Sequence, residues 1–142
     1  MRISTKGDYG LRALIELAHH FGEGPVQSGH IAAAQGIPVA YLDQLLTTLR
    51  RSGFVRSVRG PQGGHALSRD PGDVKLSEVL TALEGSLAPV DWLDDGNHHQ
   101  KANAQRDLWV EIRDACVSIL DRTTVADLAR RDKEGSVERY YI

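Results

Sequence analysis

The sequence predicts a mainly α chain with a small β-hairpin wing: a winged helix-turn-helix followed by a long C-terminal dimerisation helix. Three observations predict it. Within 37–69, Tyr41, Leu42, Leu45, Leu46 and Leu49 follow the i, i+3/i+4, i+7 spacing of a helix buried along one face. The same stretch carries Arg50, Arg51, Arg56, Arg59 and Arg69 but no carboxylate after Asp43, and Gly60-Pro61-Gln62-Gly63-Gly64 separates the short apolar runs Phe54-Val55 and Ala66-Leu67 as the tip of a hairpin. Further on, Leu108, Ile112, Ala115 and Ile119, with Trp109, Cys116 and Leu120 beside them, form a wide apolar stripe over four turns. A basic helix next to a glycine-tipped basic hairpin suits duplex DNA. The helix can enter the major groove while the hairpin reaches the backbone or the minor groove.

Taken in order, Ser4 is a helix cap, and Tyr9, Leu11, Leu14, Ile15, Leu17, Ala18 and Phe21 read as a helix broken by Gly22-Glu23-Gly24-Pro25. Ser28 precedes the short helix His30-Ile31-Ala32-Ala33-Ala34, which Gly36 stops. Pro38 suits the first turn of the next helix and Gly53 its end. After the hairpin, Arg69-Asp70-Pro71-Gly72-Asp73 is a turn. Ser77 then begins a helix with Val79, Leu80 and Leu83 on its apolar side, ending at Gly85. From Ser86 to Ala104 periodicity is lost and a loop is expected. The long helix resumes near Gln105, and Thr123 to Leu128 reads as a short helix followed by a polar tail to Tyr140-Tyr141-Ile142. The expected division is a winged helix-turn-helix over 1–74, a short helix and regulatory loop over 75–104, and a dimerisation helix and tail over 105–142.

With 142 residues and 41% hydrophobic content, the chain can bury one core of ordinary size. No apolar run approaches the roughly 20 residues that span a bilayer, and the N-terminus lacks a secretory apolar core, so a cytoplasmic location is expected. One cysteine, Cys116, excludes an intramolecular disulfide. The net charge of −2 conceals an asymmetry: residues 1–69 hold eight Lys/Arg against four Asp/Glu, residues 70–142 nine against fifteen. The first part, at +4, is the one suited to a polyanion.

The residue types assign roles on that surface. Gln44 can pair with adenine and Asp43 can accept from cytosine, whereas Arg50 and Arg51 suit phosphate. Arg59 can enter a minor groove or grip phosphate, and Gly60, Gly63 and Gly64 allow close backbone approach. Gln27 and Ser28 open a helix whose N–H groups can meet a further phosphate. Tyr41 is either a phosphate or thymine-methyl contact or a core residue. Cys116, on the apolar stripe, reads as a buried, inert thiol. Adjacent histidines seldom share one ion, so neither His98-His99 nor His19-His20 is expected to hold a metal. No nucleophile–base set or phosphate-binding loop stands out, and no enzyme is expected. The apolar stripe of the long helix needs a cover. Pairing of Leu108, Ile112, Ala115 and Ile119 with a second copy gives a two-fold dimer matched to a partly palindromic operator.

Ile3 to Arg12, Tyr41-Leu42-Asp43-Gln44-Leu45-Leu46, Leu49 to Gly53, the wing Val58 to Leu67, Leu83-Glu84-Gly85 and Asp121 to Leu128 together resemble the Rrf2 family of winged-helix transcription regulators. The resemblance runs nearly end to end, with His65 standing where the family usually has tyrosine. It implies a DNA-binding regulator, with Lys6 as another phosphate contact. Many members hold an iron–sulfur cluster on three cysteines of the loop before the long helix. Here that loop has none, and thiolates are what a cluster needs. Asp8 matches a non-cysteine ligand of some relatives but cannot hold a cluster alone. No cofactor is therefore expected, and the chain resembles the cluster-free branch of cysteine-metabolism repressors. In that branch an aromatic-Tyr-Ile end docks into cysteine synthase. Tyr140, Tyr141 and Ile142 are candidates for the same, the terminal carboxylate being captured by backbone N–H groups. Two alternatives to repression stay open: an interaction regulator acting through that tail, and a small-molecule or metal sensor using the loop 91–104.

Overall fold

The computed structural model describes the backbone of residues 1–94 and 103–141 and the side chains of 1–94 and 103–135. His98, His99 and the side chains of Tyr140, Tyr141 and Ile142 lie outside the described residues. Six helices and one antiparallel hairpin make up the rest: α1 (Thr5–His19), α2 (Ser28–Gln35), α3 (Val39–Arg51), β1 (Val55–Val58), β2 (Gly64–Leu67), α4 (Leu76–Glu84), α5 (Ala104–Asp121) and α6 (Val125–Tyr141). This is the mainly helical, winged arrangement that the periodicity predicts.

Each helix starts and stops for local reasons. The Ser4 hydroxyl accepts from the Gly7 N–H at 3.3 Å, as a cap should. Glu84 then grips that cap from α4, accepting from the Ser4 N–H at 3.0 Å and its hydroxyl at 2.6 Å. The two helices meet so closely that a Cβ on Gly7 would overlap the Glu84 carboxylate and one on Gly10 would overlap Leu83. Pro38 stands at the N-cap of α3, one position before the first turn. Along α3, Leu42, Leu45, Leu46 and Leu49 are all buried, which is the stripe read from the sequence. β1 pairs with β2 from Val55↔Leu67 to Val58↔Gly64. The connector before α2 adds to this sheet, because Val26 and His65 exchange two backbone hydrogen bonds at 2.8 and 2.7 Å.

The C-terminal segment differs from expectation. Instead of a short helix and a polar tail, α6 is helical from Val125 through Tyr141. Thr124 and Asp127 bond reciprocally, N–H to carboxylate at 2.9 Å and N–H to hydroxyl at 3.1 Å, and so open the helix. Val125 and Ala129 are buried, α6 packs along α1, and His19 reaches Asp132 at 2.9 Å. A short backbone bridge holds the start of α6 to the start of α4: the Leu76 N–H donates to Thr123 and the Val125 N–H to Val74. One core therefore joins Leu14, Leu17, Leu42 and Leu49 to Val74, Val79, Leu83 and Val125, on both sides of residue 74.

Candidate nucleic-acid interface

Burial of the leucine stripe turns the other side of α3 outward, and Asp43, Gln44, Arg50 and Arg51 are all exposed there. The Thr47 and Thr48 hydroxyls fold back on the carbonyls of Asp43 and Gln44, at 2.9 and 3.2 Å, so they are occupied within the helix. Arg50 donates to the Ser57 hydroxyl at 3.2 Å and thereby ties α3 to β1. Tyr41 is half-buried, edge-on to Tyr9 with ring centroids 5.7 Å apart, and packs against the core. Arg69 leaves the basic surface: it lies over the Phe54 ring and reaches Glu78 at 3.4 Å.

At the wing, Arg59, Gly60, Pro61 and Gln62 are exposed and a Gly63 N–H to Gly60 carbonyl bond of 2.9 Å closes the turn. The base of the wing has no room for a side chain at two places. A Cβ on Gly63 would overlap the Val58 carbonyl, and one on Gly64, where φ is +155°, would overlap the Val26 carbonyl. The glycines thus serve packing of the wing on the connector as much as approach to a ligand.

Gln27 caps α2 through its carbonyl, which accepts from the N–H groups of His30 and Ile31, while its side chain makes no capping bond. Gln27 is exposed and lines one hollow with Gln62 and Gly63, so α2 and the wing face a common space. Ser28 beside it is half-buried. Asp43 and Arg50 both act electrostatically on His65. Lys6 is half-buried on the first turn of α1 and has no hydrogen bond or ion pair with the others among the described residues. Asp8 is paired with Arg12 at 3.0 Å.

Sequence reading missed what His65 does. Its backbone joins the wing to the connector, and its Nδ1 is buried with no hydrogen-bond partner among the described residues. Burial pushes its pKa below the ordinary histidine value; nearby Asp43 opposes this and Arg50 adds to it. Its departure from the family tyrosine was the available signal.

The long helix has an unusual environment. None of its 18 residues is buried, and Leu108 and Ile119 remain 48% and 51% exposed. Ile112 is half-buried and Ala115 exposed. Cys116, expected to be buried, is half-buried in the single chain. At the other end of this segment Asp94 accepts from Ser86 and lies 3.5 Å from Arg113, which ties the loop start to α5.

No helix among the described residues is long and apolar enough to cross a membrane. The Rrf2 family model, described as an iron-dependent transcriptional regulator, matches residues 3–131. The chain is 42% identical over 143 residues to the HTH-type transcriptional regulator CymR of Bacillus subtilis, covering all of both chains. It is 34% identical to the HTH-type transcriptional regulator IscR of Photobacterium profundum, over 92% of this chain and 76% of that one. Among solved structures, CymR, the global cysteine regulator of B. subtilis, superposes with a TM-score of 0.82, covering 92% of this chain and 98% of the other at 42% identity. IscR of T. potens superposes with a TM-score of 0.80 at 38% identity, over 95% and 90% of the two chains. The iron in the family description has no thiolate set to receive it here. The sequence has one cysteine, Cys116 on α5, so its donors do not fit a cluster.

Proposed function

The chain belongs to the Rrf2 family of helix-turn-helix transcriptional regulators, and on that premise we propose that it binds a partly palindromic operator as a homodimer and represses genes of cysteine supply. The observation that carries the DNA reading is the outward face of α3 beside the glycine-tipped wing, locked to each other through Arg50–Ser57 and to the connector through Val26–His65. Asp43 and Gln44 are then the base readers. Arg50, Arg51, Lys6, Gln27 and Ser28 meet phosphate, and Arg59 with Gly60, Gly63 and Gly64 reaches the backbone or minor groove. Tyr41, half-buried against the core, supports α3 and meets phosphate or a thymine methyl with its exposed part.

The stripe of Leu108, Ile112, Ala115 and Ile119 is the dimer seam, since a helix of this length with no buried residue leaves much of its apolar side in water. Residues 1–74 act as the reading unit, 75–104 as its connection and 105–142 as the pairing arm, in the cytoplasm and without enzymatic chemistry. The link to cysteine supply rests on likeness to the global cysteine regulator. Docking of Tyr140, Tyr141 and Ile142 into cysteine synthase would require the last turn of α6 to unwind, because its backbone is helical through Tyr141.

Footprinting on the chain's own upstream region, followed by titration at several salt concentrations, tests the proposal. Protection of two half-sites about one helical turn apart is expected, with affinity falling steeply as salt rises. A chain that stays monomeric and indifferent to DNA at low salt would refute it.

A further inference from the structure

Three donors that the DNA reading does not use converge where α1 ends. Glu16 is buried, at 7% exposure, on the apolar side of α1. One of its oxygens, Oε2, accepts from the Gln35 amide at 2.9 Å. The other, Oε1, faces two imidazoles: His20 Nε2 at 3.2 Å and His30 Nε2 at 3.5 Å. The ligand atoms of the three residues all lie within 4.8 Å of one another. His20 is held from behind, its Nδ1 lying 3.1 Å from the Glu23 carboxylate. That carboxylate–imidazole pairing aims Nε2 at the centre, as partners behind metal-bound histidines do.

The spacing fits an ion. Tetrahedral bonds of about 2.0–2.1 Å put neighbouring donors about 3.3–3.4 Å apart, which matches the two Nε2–Oε1 separations. Two imidazoles and one carboxylate suit a first-row transition metal, whereas magnesium or calcium would want more oxygen. A hollow of about 380 Å³ opens on His20 and His30 and is lined also by Gln27, Gln62 and Gly63, leaving room for water in the remaining position.

We propose that Glu16, His20 and His30 bind one first-row divalent cation, with Glu23 positioning His20 and Gln35 positioning Glu16. The adjacent histidines are divided: His19 turns to Asp132 on α6, while His20 turns to Glu16, four positions back on the same face of α1, and only the fold brings His30 of α2 to them. The ion would clip the connector between α1 and α2, joining His20 at the end of α1 to His30 in the first turn of α2.

The test uses the full-length chain, free of any histidine tag and stripped with chelator, titrated calorimetrically with Zn²⁺ and, without oxygen, with Fe²⁺. One ion per chain at micromolar affinity or better is expected, and competition between the two identifies the preferred metal. His30→Ala lies on an exposed position and should leave the metal-free melting temperature unchanged while abolishing saturable binding. Glu23→Gln should weaken binding about 10–100-fold, again without changing metal-free melting. His98→Ala/His99→Ala should bind as the parent does. Absence of saturable binding in the micromolar range overturns the proposal, as does binding that survives His30→Ala or is lost with His98 and His99. The consequence for DNA rests on the proposed function: the ion sits beside Gln27 and Gln62, so metal should tighten operator binding in the parent and not in His30→Ala. Metal binding with unchanged operator affinity would remove that coupling and leave the site standing.

Discussion

Replacing Gly64 with alanine tests whether the wing is aimed from its base. Gly64 has φ of +155°, which side-chain-bearing residues rarely adopt, and an added Cβ would overlap the Val26 carbonyl oxygen and lie 3.0 Å from the Gln27 nitrogen. Val26 cannot simply retreat, because its N–H and carbonyl are both bonded to His65, at 2.8 and 2.7 Å. Relief needs backbone strain of about 1–3 kcal/mol, loss of two hydrogen bonds at about 0.5–1.5 kcal/mol each, or both. Where both are incurred the total is about 2–6 kcal/mol, and at about 2–4 °C per kcal/mol for a chain of this size the melting temperature should fall by roughly 4–24 °C. Gly60→Ala is the matched control. Its φ is +110°, but nothing lies within 4 Å of the added Cβ, so it carries strain alone, about 1–3 kcal/mol. Thermal melts of both variants, with anisotropy titrations on operator DNA well below melting, separate the two effects. Gly64→Ala should melt lower than Gly60→Ala and, at temperatures where both are folded, bind DNA more weakly. Equal melting of the two would refute the idea that the Val26–His65 pair fixes the wing.

Arg59→Ala should lower operator affinity by about 1–3 kcal/mol if the side chain reaches base edges, or reduce the salt slope by about 1 if it meets phosphate; a variant unchanged in both is outside the interface. Leu108→Asp with Ile119→Asp places two charges on the exposed stripe of α5. Light scattering should show monomer, and operator affinity should drop with it; a persistent dimer would move the seam elsewhere. His65→Phe addresses pH. Burial holds the His65 imidazole below its ordinary value of 6.5, so as pH falls past 6.5 the unfolded chain gains a proton that the native chain refuses. Stability contributed by this residue is therefore complete above 6.5 and is lost progressively down to the depressed native value. Denaturant melts from neutral to mildly acidic pH should show a shallower acid loss in His65→Phe, and identical slopes would show that His65 titrates freely.

What the sequence revealed depended on whether a signal was local and periodic. Leu42, Leu45, Leu46 and Leu49 repeat on one helical face, and burial of that face places Asp43, Gln44, Arg50 and Arg51 outside without further information. The length of α6 had no such signal. Arg130, Arg131, Asp132, Lys133 and Glu134 carry no apolar repeat, yet Arg130 pairs with Asp127 at 3.3 Å and Glu134 at 3.9 Å along the helix, and Val125 and Ala129 dock it on the core. Likewise Leu83-Glu84-Gly85 could be matched to relatives, but nothing in its spacing says that Glu84 reaches across to Ser4. The Val26–His65 bridge joins two single residues 39 positions apart, and a bridge that short leaves no pattern to read.

The same long-range ties explain how a paired arm could set the spacing of two reading heads. α5 is capped at its start by Asn103 at 2.7 Å and braced at its middle by Arg113 against Asp94; at its end, the Thr123 hydroxyl closes on Ile119 at 2.7 Å. Immediately beyond, the bridge to Val74–Leu76 and the docking of α6 on α1 lock that end to the core that also seats α3. If two copies pair through α5, an arm braced at its middle and anchored at its end carries any change in how they cross into the separation of the two α3 helices. A loosened anchor would break this relation. Thr123→Val keeps the volume but removes the hydroxyl that closes on Ile119, so it should leave a dimer that tolerates altered half-site spacing better than the parent.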